Sequence, residues 1–148
     1  MNVFAQRSPS RFAADVAGAA NDGATTDTLA WLAERTRLMA AQRHDPLDWI
    51  YQSYAYDAHD VGTSHGFGGD TQKALASIRA STLIAVPSLD LYNPTEAGMW
   101  AAQQIQGAEL LRLPFESGHL AASEAEPQAA AQLNDKIGRF LRDDELAR

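Results

Sequence analysis

Cysteine is absent from the 148 residues, which excludes disulfides, thiolate metal sites and a cysteine nucleophile. Basic residues are in deficit: 12 Lys and Arg stand against 19 Asp and Glu, for a formal net charge of −7. With no basic stripe, binding to nucleic acid or to an anionic membrane by charge is not expected. Long apolar runs are also missing. No stretch approaches the roughly 20 apolar residues of a transmembrane helix. The first twenty residues carry Arg7, Arg11 and an alanine-rich tail, but Asp15 interrupts any hydrophobic region of the kind a signal peptide needs. A cytoplasmic setting is the default expectation.

What is present is ordinary for one domain: 45% hydrophobic and 21% charged residues on a chain long enough to bury a core. Residues 1–24 read as an irregular lead-in with a short helix around Arg11 to Ala17. Helical spacing begins at Thr26 and runs to Arg43, with Leu29, Leu32, Thr36 and Met39 on one face and Thr26 or Asp27 as N-cap. A second helix opens at Asp45-Pro46, a cap followed by proline at the first helical position. It carries Leu47, Ile50, Tyr51 and Tyr54 at i, i+3, i+4 and i+7, and ends near Ala58. Residues 25–69 therefore form a helical hairpin with an aromatic face (Trp49, Tyr51, Tyr54, Tyr56), closed by the glycine-rich run Gly62 to Gly69.

Residues 70–148 change character. A short helix over 71–79 leads to Thr82-Leu-Ile-Ala-Val86, apolar on both faces as a strand inside a parallel sheet must be. Asn93 and Pro94 signal a helix start, Gly107 its end, and Glu109 to Leu113 a second strand. A last helix spans 127–141 with Leu133, Ile137, Phe140 and Leu141 on its inner side. Strand, helix of about a dozen residues, strand is a right-handed βαβ crossover, so the fold class is α/β with parallel strands. Two strands are few for a parallel sheet, which is normally covered on both faces and broader. Residues 82–86 are also too apolar for an exposed edge. The expectation is an incomplete sheet, finished by a partner chain or by sequence outside this stretch.

Three patterns invite a chemical reading. Gly62-Thr63-Ser64-His65-Gly66 spells G-x-S-x-G, and an aspartate and a histidine follow in the order of an α/β-hydrolase triad. A nucleophile elbow, however, needs a buried strand running into the serine and a helix starting after it. Ser64 is preceded by Tyr54 to Val61, with three ionisable side chains in its second half, and followed by Phe67-Gly-Gly; it reads as a loop residue. Asp57, His59, Asp60 and His65 offer metal-ligand types without a metal-ligand spacing, so no metal site is expected. The glycines at 66–69 lack the lysine and the strand-then-helix frame of a phosphate loop.

Asp90 and His119 carry more weight. In open α/β sheets functional groups sit just beyond the carboxyl ends of the strands. Asp90 follows the first strand and His119 the second, so both project from one edge of the sheet. There an aspartate can orient an imidazole, fix its tautomer and stabilise its protonated form. Taken singly, Asp90 also suits a turn and His119 a surface loop; their common placement favours the functional reading.

The segment from Ser81 to Ser123 resembles the end of an α/β-hydrolase-fold enzyme, most of all homoserine O-acetyltransferase and its relatives. The resemblance rests on Asp90 to Pro94 after the penultimate strand, the helix that follows, the Gly107-Ala108 strand start and the Ser117-Gly118-His119 loop. Helices 26–58 are similar to that group's helical lid, and Asp57 to Gly62 to its return to the core. It implies an incomplete, C-terminal part of an α/β-hydrolase fold (residues 70–148) behind a lid-like segment (25–69). It further implies that Asp90 and His119 belong to a Ser-Asp-His triad taking an acyl group from acyl-CoA, a co-substrate and not a resident cofactor, to a small hydroxyl acceptor. The family's nucleophile precedes its lid, so none is assigned within these residues, and the chain is expected to be inactive alone. Two alternatives stand beside this: an esterase fragment, and a non-catalytic module dimerising through its helical segment.

Overall fold

The computed structural model describes residues 6–23, 27–42, 45–123 and 126–146. It is α/β, with six α-helices and a two-stranded parallel sheet among these residues. The helices are α1 (Pro9–Asn21), α2 (Thr28–Ala41), α3 (Pro46–Ala58), α4 (Thr71–Ala76), α5 (Thr95–Gln104) and α6 (Pro127–Leu146); the strands are β1 (Leu83–Pro87) and β2 (Glu109–Leu113). The chain divides into two compact units. One comprises Met1–Phe12 with Gln72–Arg148, and the other Ala13–Thr71.

In the first unit β1 and β2 pair in register from Leu83↔Glu109 to Pro87↔Leu113. The pairing is parallel, as the βαβ reading of the sequence requires. The branched run Leu-Ile-Ala-Val suits a pleated, half-buried surface, and α5 returns the chain across it. Helix α5 comes close at Gly98, where a Cβ would lie 2.4 Å from Val86 Cγ1. Glycine there lets helix and strand approach. Val86, Ile105, Leu113, Ala121 and Ala129 form the buried apolar centre. Helix α6 packs against both strands, and its Lys136 ion-pairs with Glu109. Among the described residues β1 has no second strand beside it, so the sheet is open.

Local chemistry sets the helix ends in the second unit. Asp27 caps α2 by accepting from Ala30 N at 2.8 Å; Thr26 and Arg43, the other expected limits of this helix, lie outside the described residues. Asp45 caps α3 by accepting from Leu47 N at 2.9 Å, with Pro46 in the first turn. The buried face of α2 departs from the expected stripe. Trp31 is 3% exposed and Leu29 78%. Two residues are about 200° apart around a helix, so burying the larger indole turns Leu29 outward. On α3 the residues at helical spacing (Leu47, Ile50, Tyr51, Tyr54) are exposed.

Several further boundaries differ from the sequence expectation, α4 stopping at Ala76 and α6 running on to Leu146 among them. Helix α1 reaches from Pro9 to Asn21, longer than the turn or two expected around 11–17, because Ser8-Pro9 is another cap-then-proline start. Helix α5 begins at Thr95 with Pro94 as its cap residue and no side-chain cap bond. It ends at Gln104, and Gly107, with φ +75°, shapes the turn into β2 instead of capping the helix.

Candidate functional site

Beyond the carboxyl end of β1 the chain keeps bonding to β2, Ser88 N donating to Leu113 O at 3.0 Å. Leu89 then adopts φ +56°, the one left-handed non-glycine residue in the structure's described part, and such a backbone costs energy for a branched side chain. The turn delivers Asp90 into the protein: its side chain is 1% exposed. Asp90 Oδ1 accepts from Tyr92 N at 2.8 Å and Asn93 N at 2.9 Å. Asp90 Oδ2 faces His119 Nδ1 at 3.0 Å. The backbone N–H groups of Tyr92 and Asn93 thus both serve the aspartate.

His119 arrives from the other strand. After Leu113 the chain turns through Pro114 and reaches Gly118, whose φ is +63°, and His119 sits in a 3-10 turn over Gly118–Ala122. Its ring rests beside Tyr92, with centroids 5.1 Å apart at 52°. Asn93 Nδ2 lies 3.5 Å from His119 Nδ1, longer than the carboxylate contact. A carboxylate accepts only, so Nδ1 is the donor, and in the neutral ring the lone pair lies on Nε2. The side chain is 34% exposed, leaving the ring accessible. A buried carboxylate fixing one ring nitrogen while the other stays free to take a proton is the arrangement for general base chemistry.

Ser64 has a different setting. Helix α3 and a 3-10 turn over Val61–Thr63 precede it; Ser64 ends that turn, exposed, and donates its N–H to Val61 O at 3.2 Å. Its carbonyl accepts from Phe67 N, and left-handed glycines at 66, 68 and 69 follow. No strand runs into it and no helix starts at it. Of the four nearby ligand types, Asp60 is used internally. It accepts from Gly62 N at 2.7 Å and Thr71 Oγ1 at 2.8 Å, and these bonds, the hydroxyl first, hold its carboxyl below the usual aspartate range. Among the described residues no three His, Asp or Glu side chains gather as a metal site.

A cavity of about 540 Å³ is lined by Ala76, Ser77, Ile78, Arg79 and Gln106. These residues precede the two parallel strands, so it lies at their amino ends, away from Asp90 and His119. Sequence reasoning did not find the polar contacts beneath the histidine loop, formed by Ser8 and Arg11 with Glu116, Ser117 and Glu126. The Ser8-Pro9 helix start was the available signal. Comparison with protein-family models, curated proteins and solved structures returned no match.

Proposed function

We propose that Asp90 and His119 are the acid and base of a serine-type acyl-transfer site of the homoserine O-acetyltransferase kind, within an α/β-hydrolase-like fold. The observation supporting this is the 3.0 Å contact between Asp90 Oδ2 and His119 Nδ1, made by a buried carboxylate at the carboxyl edge of adjacent parallel strands. In this reading His119 Nε2 takes the proton of a serine hydroxyl as the serine attacks the thioester carbonyl of an acyl-CoA. The protonated ring then gives that proton to the departing thiolate. The same nitrogen next deprotonates the acceptor hydroxyl as it attacks the acyl-serine carbonyl, and returns that proton to the departing serine oxygen. Asp90 keeps Nδ1 protonated and stabilises the imidazolium. The serine and the oxyanion donors come from a segment other than these 148 residues. Water in place of the acceptor would make the same site an esterase.

The test is labelling with a fluorophosphonate, followed by intact-mass measurement and peptide mapping. The expected outcome for this chain is no adduct at Ser64. An adduct there that disappears in His119→Ala would replace this proposal with a self-contained triad. In the polypeptide that supplies the serine, His119→Ala should lower acyl transfer from acetyl-CoA to homoserine by about 10³-fold or more; retained transfer would remove His119 from the mechanism. A dimerising module is the second reading, favoured by the exposed Leu47, Ile50, Tyr51 and Tyr54 of α3.

A further inference from the structure

His119 is held from two sides. Gly118 is the meeting point: a Cβ there would lie 2.7 Å from Ser8 N, 3.1 Å from the Arg7 carbonyl carbon and 3.2 Å from Leu89 O. The backbone before Asp90, the backbone before His119 and the segment leading into α1 therefore touch at one residue. Around this junction lies a closed polar cluster. Ser8 is fully buried; its hydroxyl donates to Glu116 O and accepts from Arg11 N at 3.1 Å and from Ser10 Oγ at 3.0 Å. Ser117, also buried, donates to Glu126 and accepts from Arg11 Nη1 at 3.2 Å. Arg11 and Glu126 close the triangle at 3.5 Å. A last tie runs from Leu120 N to Gln6 O at 3.3 Å. The residues immediately before and after the Gly118-His119 pair are thus bonded to residues 6–11 or to Glu126.

Buried polar bonds of this kind are costly to break singly, because each lost partner leaves a desolvated donor or acceptor. Backbone-to-backbone contact at Gly118 leaves little room for the loop to slide. We propose that Ser8, Arg11, Ser117 and Glu126 are positioning residues, which clamp the histidine loop through residues 6–11 and set the His119 ring against Asp90. The proposal rests on the reading of Asp90 and His119 as an acid–base pair. None of the four need touch substrate; they act through the loop.

The experiment is long-range 1H–15N NMR of the His119 ring in the 148-residue chain, which reports which nitrogen bears the proton, alongside thermal melting. Asp90→Asn calibrates the readout and should move the ring toward the Nε2–H form. Ser8→Ala, Ser117→Ala and Glu126→Ala should shift it in the same direction, whereas Glu126→Gln, which keeps an acceptor for Ser117, should retain the Nδ1–H form. In the polypeptide supplying the serine, the three alanine variants should lose up to about 10²-fold in kcat with KM little changed, the penalty of slight misplacement. A folded Ser117→Ala with lowered melting temperature and an unchanged His119 tautomer would show that the cluster only stabilises the fold, and would overturn the proposal. Should Ser117→Ala not fold, Glu126→Ala, at a part-exposed site, decides by the same criterion. An unchanged tautomer in Asp90→Asn would instead overturn the acid–base pair itself, and the clamp with it.

Discussion

Asp90 accepts two backbone N–H groups on Oδ1 and the imidazole on Oδ2, so it cannot rotate without leaving donors unpaired. Asp90→Asn preserves the shape and the Oδ1 bonds, but places an NH2 group against His119 Nδ1. The ring then favours the form protonated on Nε2, which cannot act as a base. In the polypeptide that supplies the serine, the acyl transfer proposed for this site should fall by about 10⁴-fold, the cost of a wrong tautomer in such sites, and the 148-residue chain should show little change in urea-unfolding midpoint. Asp60 makes a second residue-scale case. Its carboxyl is held below the ordinary aspartate range, first by the Thr71 hydroxyl and then by the Gly62 N–H. A depressed carboxylate contributes stability that is present above the unfolded value and lost as pH falls through the folded one. Thr71→Val should therefore raise the Asp60 pKa, read by carboxyl 13C titration. It should lower stability at pH 7, while variant and parent converge in acid.

At the scale of elements, Gly98 of α5 lets the helix come close to Val86 of β1. Gly98→Ala improves helix propensity by about 1 kcal/mol, but its methyl would sit 2.4 Å from Val86 Cγ1. Valine in a strand has little rotamer freedom, so the strain of about 1–3 kcal/mol for an overpacked core wins. A net loss of about 1 kcal/mol in urea unfolding is expected; a gain would mean that α5 can lift from the sheet. The βαβ unit was readable because its signals are local: an apolar branched run, a helix-length segment, a second strand. Asp90 and His119 were readable for the same reason, since strand ends fix which edge they share. What escaped is non-local or competitive. Ser8 and Glu116 are 108 positions apart, and no short pattern links them. Asn93-Pro94 has the residue types of a helix start, yet α5 begins at Thr95 without a side-chain cap. Leu29 kept the helical period, but the larger Trp31 took the buried side.

Over the whole molecule, a two-stranded parallel sheet is an unusual end state, because strands of this type normally lie between others and under helices. The ladder shows which groups remain open. Ser88 N donates to Leu113 O and Thr82 O accepts from Glu109 N. With the period of two along a strand, Ile84 and Val86 direct their N–H groups to β2, while Leu83 and Ala85 direct theirs to the edge without a partner strand. Pro87 has no N–H at all. In hydrogen exchange on the dilute chain, the amides of Leu83 and Ala85 should exchange far faster than those of Ile84 and Val86. This alternation separates two ways of satisfying the molecule. Association through the exposed apolar side chains of α3 would raise the mass in light scattering, respond to Ile50→Glu or Tyr51→Glu, and leave Leu83 and Ala85 fast. Completion of the sheet by another strand would protect those two amides and be indifferent to the α3 variants. The acyl-transfer proposal requires the second, since the serine must arrive at the carboxyl edge of the same sheet. Slow exchange at Leu83 and Ala85 in a monomeric chain would mean that β1 is already covered, and the expectation of an added strand would fall.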